Sequence, residues 1–437
     1  MVRIVKVNVT QTAAPTPSTL QGTGAIVSQG GTNLAPNTLG LITQPSDLTA
    51  FVPALETITS VSWATGVATV TVPVNYLPAS VPTEPVQMTI SGAAPIGYNG
   101  TYAATIVSGT TFTVPIATNP GAITTPGIVT LGDVPELLSQ VTTFFSQGSN
   151  TAVYVLELGS GAPNQGVTAL TTWLVANPGT VYAFLLPREW DGEPTLTGLL
   201  AAYQSTTSKA YFIITSTLAT RSRYTNLMKD AEVWIEAPGI PATEFTAAAA
   251  FYVKLAYAPS TLRKVSPYCF SFLYGVTPYP VKATQALLST LATGFYNFVA
   301  TGAEGGITNA MIYPGTTMDG RDGAYWFSVD WVQINVDLDL ANEIINGSNN
   351  PQAPLYYDQT GVDRLQARAT KTMLRGTSYG LVLGPITVVA VPFYTYVNLN
   401  PGDYKVGVYN GLAVTYTPNR GFRSITFNVA VTDFPLA

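Results

Sequence analysis

The chain has 437 residues, of which only 19 are Lys or Arg and 24 are Asp or Glu, a charged share of 10% with a net charge of −5. A compact chain of this length exposes about 16,000 Å², so each charge covers about 370 Å² where ordinary usage gives one per about 150 Å²; uncharged patches of contact size follow. With no histidine and one cysteine, the composition excludes His-based acid–base catalysis, Ser or Cys triads, His-ligated metals, internal disulfides and Cys-rich clusters, and the acidic balance speaks against nucleic acid as a partner.

Met1–Thr10 alternates apolar Val2, Ile4, Val5, Val7 and Val9 with Arg3, Lys6 and Asn8. That pattern predicts an extended strand and lacks the apolar centre of a secretion signal. Pro15 and Pro17 make the next stretch a linker. Residues 57–130 carry one charge, Glu84, in Thr/Val alternations such as 68–72. Tyr98-Asn99-Gly100-Thr101-Tyr102 adds a hairpin signal. This stretch is expected to be a small β-sandwich-like insertion.

Strands then alternate with helices. Asp133 and Glu136 are spaced as a helix start, and Leu137, Val141 and Phe144 share a face. The readings that follow are strand 152–158, helix 167–176, strand 181–186, helix 196–204, strand 210–215, strand 232–236, helix 243–257, strand 268–273 and helix 282–299. This order implies a layered, mostly parallel α/β sheet. Beyond residue 316, Trp331, Ile334, Leu338, Ala341 and Ile345 form a helical stripe. Strands are predicted at 386–391 and 394–399, a hairpin at 405–409 and 413–416, and a final strand at 424–431. The most apolar run, 381–397, holds Gly384, Pro385 and Pro392 and is too short to span a bilayer.

Three groups of residues and a single cysteine invite chemistry. Gly159-Ser160-Gly161 with Gly166 follows a strand but misses the dinucleotide spacing, so it reads as a turn. Asp319-Gly320-Arg321-Asp322-Gly323 lacks the bidentate Glu of a calcium loop. Cys269 lies among apolar and aromatic neighbours and reads as an inert thiol. No catalytic residue, cofactor or metal site is assigned. Arg364, Arg368, Lys371 and Arg375, spaced i, i+4, i+7, i+11, share one helix face with no acidic residue between them. They are read either as a solvated face or as a stripe docking on an acidic protein surface.

Several stretches resemble the tail sheath proteins of contractile bacteriophages, in the divergent form with a small β insertion. They are Leu137–Leu158 with Phe144-Phe145 and Val153-Tyr154-Val155, Gly97–Tyr102 with Thr110–Thr113, Asp330-Trp331, Tyr356-Tyr357-Asp358 with Gly361-Val362 and the helix to Gly376, and Arg423–Val431. The resemblance implies an α/β, or α+β multidomain, chain. Its expected parts are an arm and linker at 1–20, a layered α/β domain at 21–56 and 131–315, the β insertion at 57–130, and a C-terminal core at 316–437 ending in an arm from about 424. It implies a helical sleeve around a tail tube that contracts to drive the tube through a host envelope. The arms, Val2, Ile4, Val5, Val7 and Val9 at one end and Ile425, Phe427, Val429 and Val431 at the other, would join neighbouring subunits by strand addition. Implied partners are further copies of the chain, the tube protein, baseplate and terminator proteins, with no nucleic acid and no membrane insertion. The implied place is the virion tail, with assembly in the host cytoplasm. The alternatives are another virion structural protein (tube, capsid or decoration subunit) and the sheath of a tailocin or bacterial injection system.

Overall fold

The computed structural model describes residues 20–52, 56–73, 77, 85–131, 134–205, 207–224, 229–280, 284–302 and 308–423. Both predicted arms, Val2 to Val9 and Ile425 to Val431, and the Asp133 helix start lie outside the described residues. The described chain forms two compact units, one of residues 20–258, 266–326 and 420–423, the other of residues 259–265 and 327–419.

In the larger unit the elements run in the order β1 Gly24–Ser28, β2 Thr38–Ile42, β3 Glu56–Thr57, β4 Ser60–Ala64, β5 Val67–Thr71, β6 Val86–Ser91, β7 Gly100–Ser108, β8 Thr111–Pro115, β9 Ile128–Leu131, α1 Val134–Phe145, β10 Val153–Glu157, α2 Pro163–Ala176, β11 Ala183–Leu185, α3 Pro194–Tyr203, β12 Tyr211–Ser216, β13 Ala231–Ile235, α4 Thr246–Leu255, α5 Gln285–Thr293, β14 Phe298–Thr301 and β15 Ala310–Tyr313. The main sheet has the order β13-β12-β11-β1-β10-β2, parallel except for the antiparallel edge strand β2. Its strands read as short apolar runs because both faces are covered: every residue of β1, β11, β12 and β13 is buried. One core cluster joins Val27, Leu156, Leu170, Trp190, Leu200, Phe212 and Val233.

The fifth parallel strand is β1, not the expected 268–273. That segment is irregular, with Phe270 at φ 66° and a single bridge from Phe272 to Met311. Gly24-Ala-Ile-Val-Ser28 is short and follows a Pro/Thr linker, so its strand character does not stand out. The helix expected to reach Val299 stops at Thr293. Phe295 takes φ 64°, a left-handed turn that ends the helix, and the chain resumes as β14.

Strands β3 to β9 make a separate antiparallel sheet, in the order β3-β9-β6-β7-β8-β5-β4. Strand β7 pairs with β6 through Gly100–Ala104 and with β8 from Thr105 onward, so it joins the two halves. Alternating residues Val70, Met88, Ile106, Phe112 and Val114 close a second core.

The smaller unit contains most of α6 Gly323–Ser348, from Phe327 onward, then α7 Gln359–Ser378, β16 Val382–Ala390, α8 Phe393–Leu399, α9 Pro401–Val406 and β17 Leu412–Pro418. Two expectations fail here. Residues 394–399 form helix α8, because Pro392 opens a turn that buries Tyr396 against Tyr409; the β-prone aromatic composition is overridden by packing. The hairpin at 405–416 does not form either. Lys405 lies in α9, which Gly407 closes at φ 74°, and β17 pairs instead with β16.

Candidate assembly interface

In open parallel sheets ligands bind where the strand order reverses, outside the carboxyl ends of the strands. Here that point lies between β1 and β11, beyond whose ends Trp190 Nε1 donates to Gln29 Oε1 at 2.7 Å; on the other side of β1 a buried carboxylate ends β10. Glu157, the last residue of β10, is 1% exposed. Its Oε1 accepts from the backbone N–H of Gly30 and Gly159, both at 2.7 Å. Its Oε2 accepts from Ser28 Oγ at 3.0 Å, Thr32 N at 3.0 Å and Thr32 Oγ1 at 2.7 Å. The backbone amides of Gly30, Thr32 and Gly159 are thus spent on an internal carboxylate. Gly159, at φ 87°, makes the turn that brings its N–H round to that carboxylate, so the Gly159–Gly161 motif is a turn with a structural task.

The Asp319–Gly323 loop is also turned inward. Asp319 accepts from Thr317 Oγ1, Arg321 N and Trp326 Nε1 at 2.6, 2.9 and 2.8 Å. Asp322 receives the backbone amides of Tyr268, Cys269 and Ala324. Among the described residues no cluster of acids suits a metal. Burial pushes the Cys269 thiol up to about 12, which removes it as a nucleophile. A different buried acid stands apart. Asp230 is 0% exposed, neither of its oxygens has a hydrogen-bond partner among the described residues, and burial raises its carboxyl to about 7.

In the smaller unit the basic stripe does lie on one face of α7, and that face meets carboxylates of α6. Arg364 donates to Glu343 at 2.7 Å and to the carbonyl of Ala353 at 3.0 Å. Arg368 and Arg375 both donate to Asp339, at 2.9 and 2.8 Å, and Thr372 Oγ1 adds 2.6 Å. Arg375 also lies 5.3 Å from the centre of the Trp331 ring. Asn335 and Asp339 are buried while Ala341 and Ile345 of the expected apolar stripe are exposed, so the inward face of α6 is partly polar. The premise that no acid accompanies the stripe holds along the helix and fails in space. Only Lys371 is exposed and without a partner among the described residues.

The open surface of this unit is elsewhere. The β16–β17 hairpin shows Leu383, Thr387 and Val389 on one strand and Ala413, Thr415 and Thr417 on the other. No charged residue stands between Arg375 and Asp403, nor between Lys405 and Arg420. Tyr394, Leu399 and Val406 of α8 and α9 are largely exposed as well. An uncharged hairpin lacks the usual protection against pairing with another chain.

No protein-family model matches the sequence, and no curated protein does. Solved structures do. A chain of the anti-feeding prophage (AFP) baseplate, solved by cryo-EM with six-fold symmetrisation, matches with a TM-score of 0.56 at 13% identity, over 99% of this chain and 100% of that one. A chain of the AFP helical sheath in its contracted state matches at 0.52 and 11%, again over 99% and 100%. The chain has the sheath fold. A chain of the contracted AFP baseplate gives 0.50 and 9% over 98% and 97%. The sheath fold accounts for the α+β arrangement in several sheets. It extends across nearly all of the chain, including the β insertion and the helical pair.

Sequence reasoning missed Glu157, Asp339, Glu343 and Gln366. Three of them have a signal in hindsight. Glu157 is a lone acid ending an apolar run, and Asp339 and Glu343 stand four apart on α6, the spacing of Arg364 and Arg368 on α7.

Proposed function

We propose that this protein is a structural subunit of a contractile sheath, polymerising helically around a tube and shortening by a change of packing. The observation that carries the reading is the sheath fold over nearly the whole chain. It agrees with a Glu157 carboxylate satisfied within the fold and with an uncharged hairpin left open to another chain. We assign the chain no catalytic step and no nucleotide; contraction is a passage from a metastable packing to a lower one.

The partners in this reading are further copies of the chain, a tube protein, and the baseplate and terminator proteins that close the two ends. Its place is the tail of a phage or phage-derived particle, built in the host cytoplasm. Val2 to Val9 and Ile425 to Val431 are the proposed linking arms. They add as strands to a neighbour, so backbone bonds hold the mesh while domains turn. The arginines of the basic stripe already serve carboxylates within the unit, so any docking on an acidic tube falls to Lys371.

Electron microscopy of the purified protein at high concentration tests the reading. Hollow tubes with helical striations are expected, and deletion of residues 1–10 leaves folded monomers. Uniform small particles that never polymerise overturn it.

A further inference from the structure

A cavity of the larger unit serves none of the contacts described so far. It holds about 450 Å³ and lies beyond the carboxyl ends of β11, β12 and β13, within the range of ordinary small-ligand sites, about 300–1,000 Å³. Arg188 and Asp191 line it from the turn after β11, Thr215 from the end of β12, and Glu236 from just past β13. Tyr279 closes the list from the loop ahead of α5.

Two hydroxyls of this lining lack partners. Thr215 is 6% exposed, and its Oγ1 has no hydrogen-bond partner among the described residues. Tyr279 is 4% exposed, and its hydroxyl makes no hydrogen bond among the described residues either. Unpaired polar groups are costly inside a fold, so two of them on one cavity wall point to a ligand that supplies what is missing.

The charged groups select the kind of ligand. Arg188 gives Nε to Glu236 Oε2 at 3.0 Å, and Nη2 to Glu236 Oε1 at 2.6 Å and to the Glu244 carbonyl at 3.0 Å. Its guanidinium also lies 4.1 Å from the centre of the Phe245 ring. An anion would have to break this two-pronged pair to reach the arginine. Glu236 Oε2 holds only the Arg188 donor, and Asp191 Oδ1 holds only the Tyr224 hydroxyl at 2.8 Å, so each oxygen keeps a free lone pair. The unused capacity is therefore two carboxylate acceptors and two hydroxyls that can both donate and accept. An ammonium group only donates and would leave both hydroxyl protons without an acceptor. Neighbouring hydroxyls on a carbon ring donate and accept together, and they bring no charge against the Arg188–Glu236 pair.

We infer that this cavity binds a small neutral polyol of the monosaccharide class, whose hydroxyls accept from Thr215 and Tyr279 and donate to Asp191 and Glu236. The inference stands apart from the sheath reading, which neither requires nor forbids it.

Ligand-observed NMR and calorimetry on the full chain test it, with the methyl glycosides of glucose, mannose and galactose as probes. Putrescine and inorganic phosphate serve as the charged controls. At least one glycoside is expected to bind saturably, and neither control. Thr215→Val and Tyr279→Phe keep shape and remove hydroxyls that no described residue uses. Each is expected to weaken the glycoside at least tenfold (about 1.4 kcal/mol) without lowering the urea midpoint of the free protein. Absence of binding by all three glycosides, binding of a charged control in their place, or glycoside affinity that survives either substitution overturns the inference. A second measurement needs no variant. Single-deoxy forms of the bound glycoside are titrated into the unmodified protein, and loss of affinity is expected at two or more ring positions. Equal affinity for every deoxy form overturns the inference as well.

Discussion

The two units treat their polar groups in opposite ways. In the larger one, the buried carboxylate of Glu157 takes five hydrogen bonds from Ser28, Gly30, Thr32 and Gly159. In the smaller one, the side chains are paired off, Asp339 with Arg368 and Arg375 and Glu343 with Arg364, and what remains open is backbone. A parallel sheet buried on both faces has no free edge groups to spare except at its margins, whereas a two-stranded ribbon has a free edge on either side. The difference teaches that the unit with the strongest internal polar network is the scaffold. On the sheath reading, the unit that leaves an uncharged strand pair exposed is the connector.

If that contrast is right, the largest effect belongs to the scaffold. Glu157→Ala leaves five donors buried and unpaired and is expected to cost about 3–5 kcal/mol of unfolding free energy, read by urea denaturation; a loss under about 1 kcal/mol breaks the contrast. Asp339→Ala leaves two guanidinium groups without their carboxylate and is expected to cost about 3 kcal/mol, with amide exchange accelerating in α6 and α7 rather than in the main sheet.

Asp230 sharpens the picture from within the scaffold. Its carboxyl titrates at about 7 in the folded chain, against an ordinary value of 3.8, because burial outweighs the opposing pull of Lys229; Asp319 pushes in the same direction as burial. Between those two values the folded chain keeps a proton that the unfolded chain has lost, so stability falls as pH rises from about 4 to 7. Asp230→Asn removes that dependence and is expected to gain roughly 4 kcal/mol at pH 8, with little change at pH 4. Equal slopes for the two proteins in urea titrations across that range refute the assignment. The smallest effect belongs to the connector's surface. Lys371→Glu should shift stability by less than about 0.5 kcal/mol, and a weaker attachment of sheath to tube in microscopy would show that this one free charge of the stripe carries docking.

Much of the main sheet was legible because its strands are compact apolar runs. Residues 152–158, 181–186 and 210–215 needed only hydrophobicity and turn signals, and the insertion announced itself through Thr/Val alternation. Strand β1 escaped, being five residues long behind a linker. Residues 394–399 escaped for another reason: Tyr, Thr and Val favour strands until Tyr396 finds an aromatic pocket. The carboxylate contacts were beyond reach in principle. Ser28 and Thr32 reach Glu157 across more than a hundred residues, and the acids that meet the basic stripe lie on another helix. Spacing along one helix reveals which charges share a face, not what that face meets.

Gln366 has a consequence for aggregation. A ribbon open on both edges is a seed: each copy that joins leaves another open edge, and the product is a fibre without a defined end. Gln366 Nε2 takes the Val388 carbonyl at 2.8 Å, so at that residue the β16 edge offers an incoming strand no free acceptor. Gln366→Ala frees that carbonyl, and the expected penalty is disorderly association visible as light scattering, in a chain whose melting temperature has hardly moved.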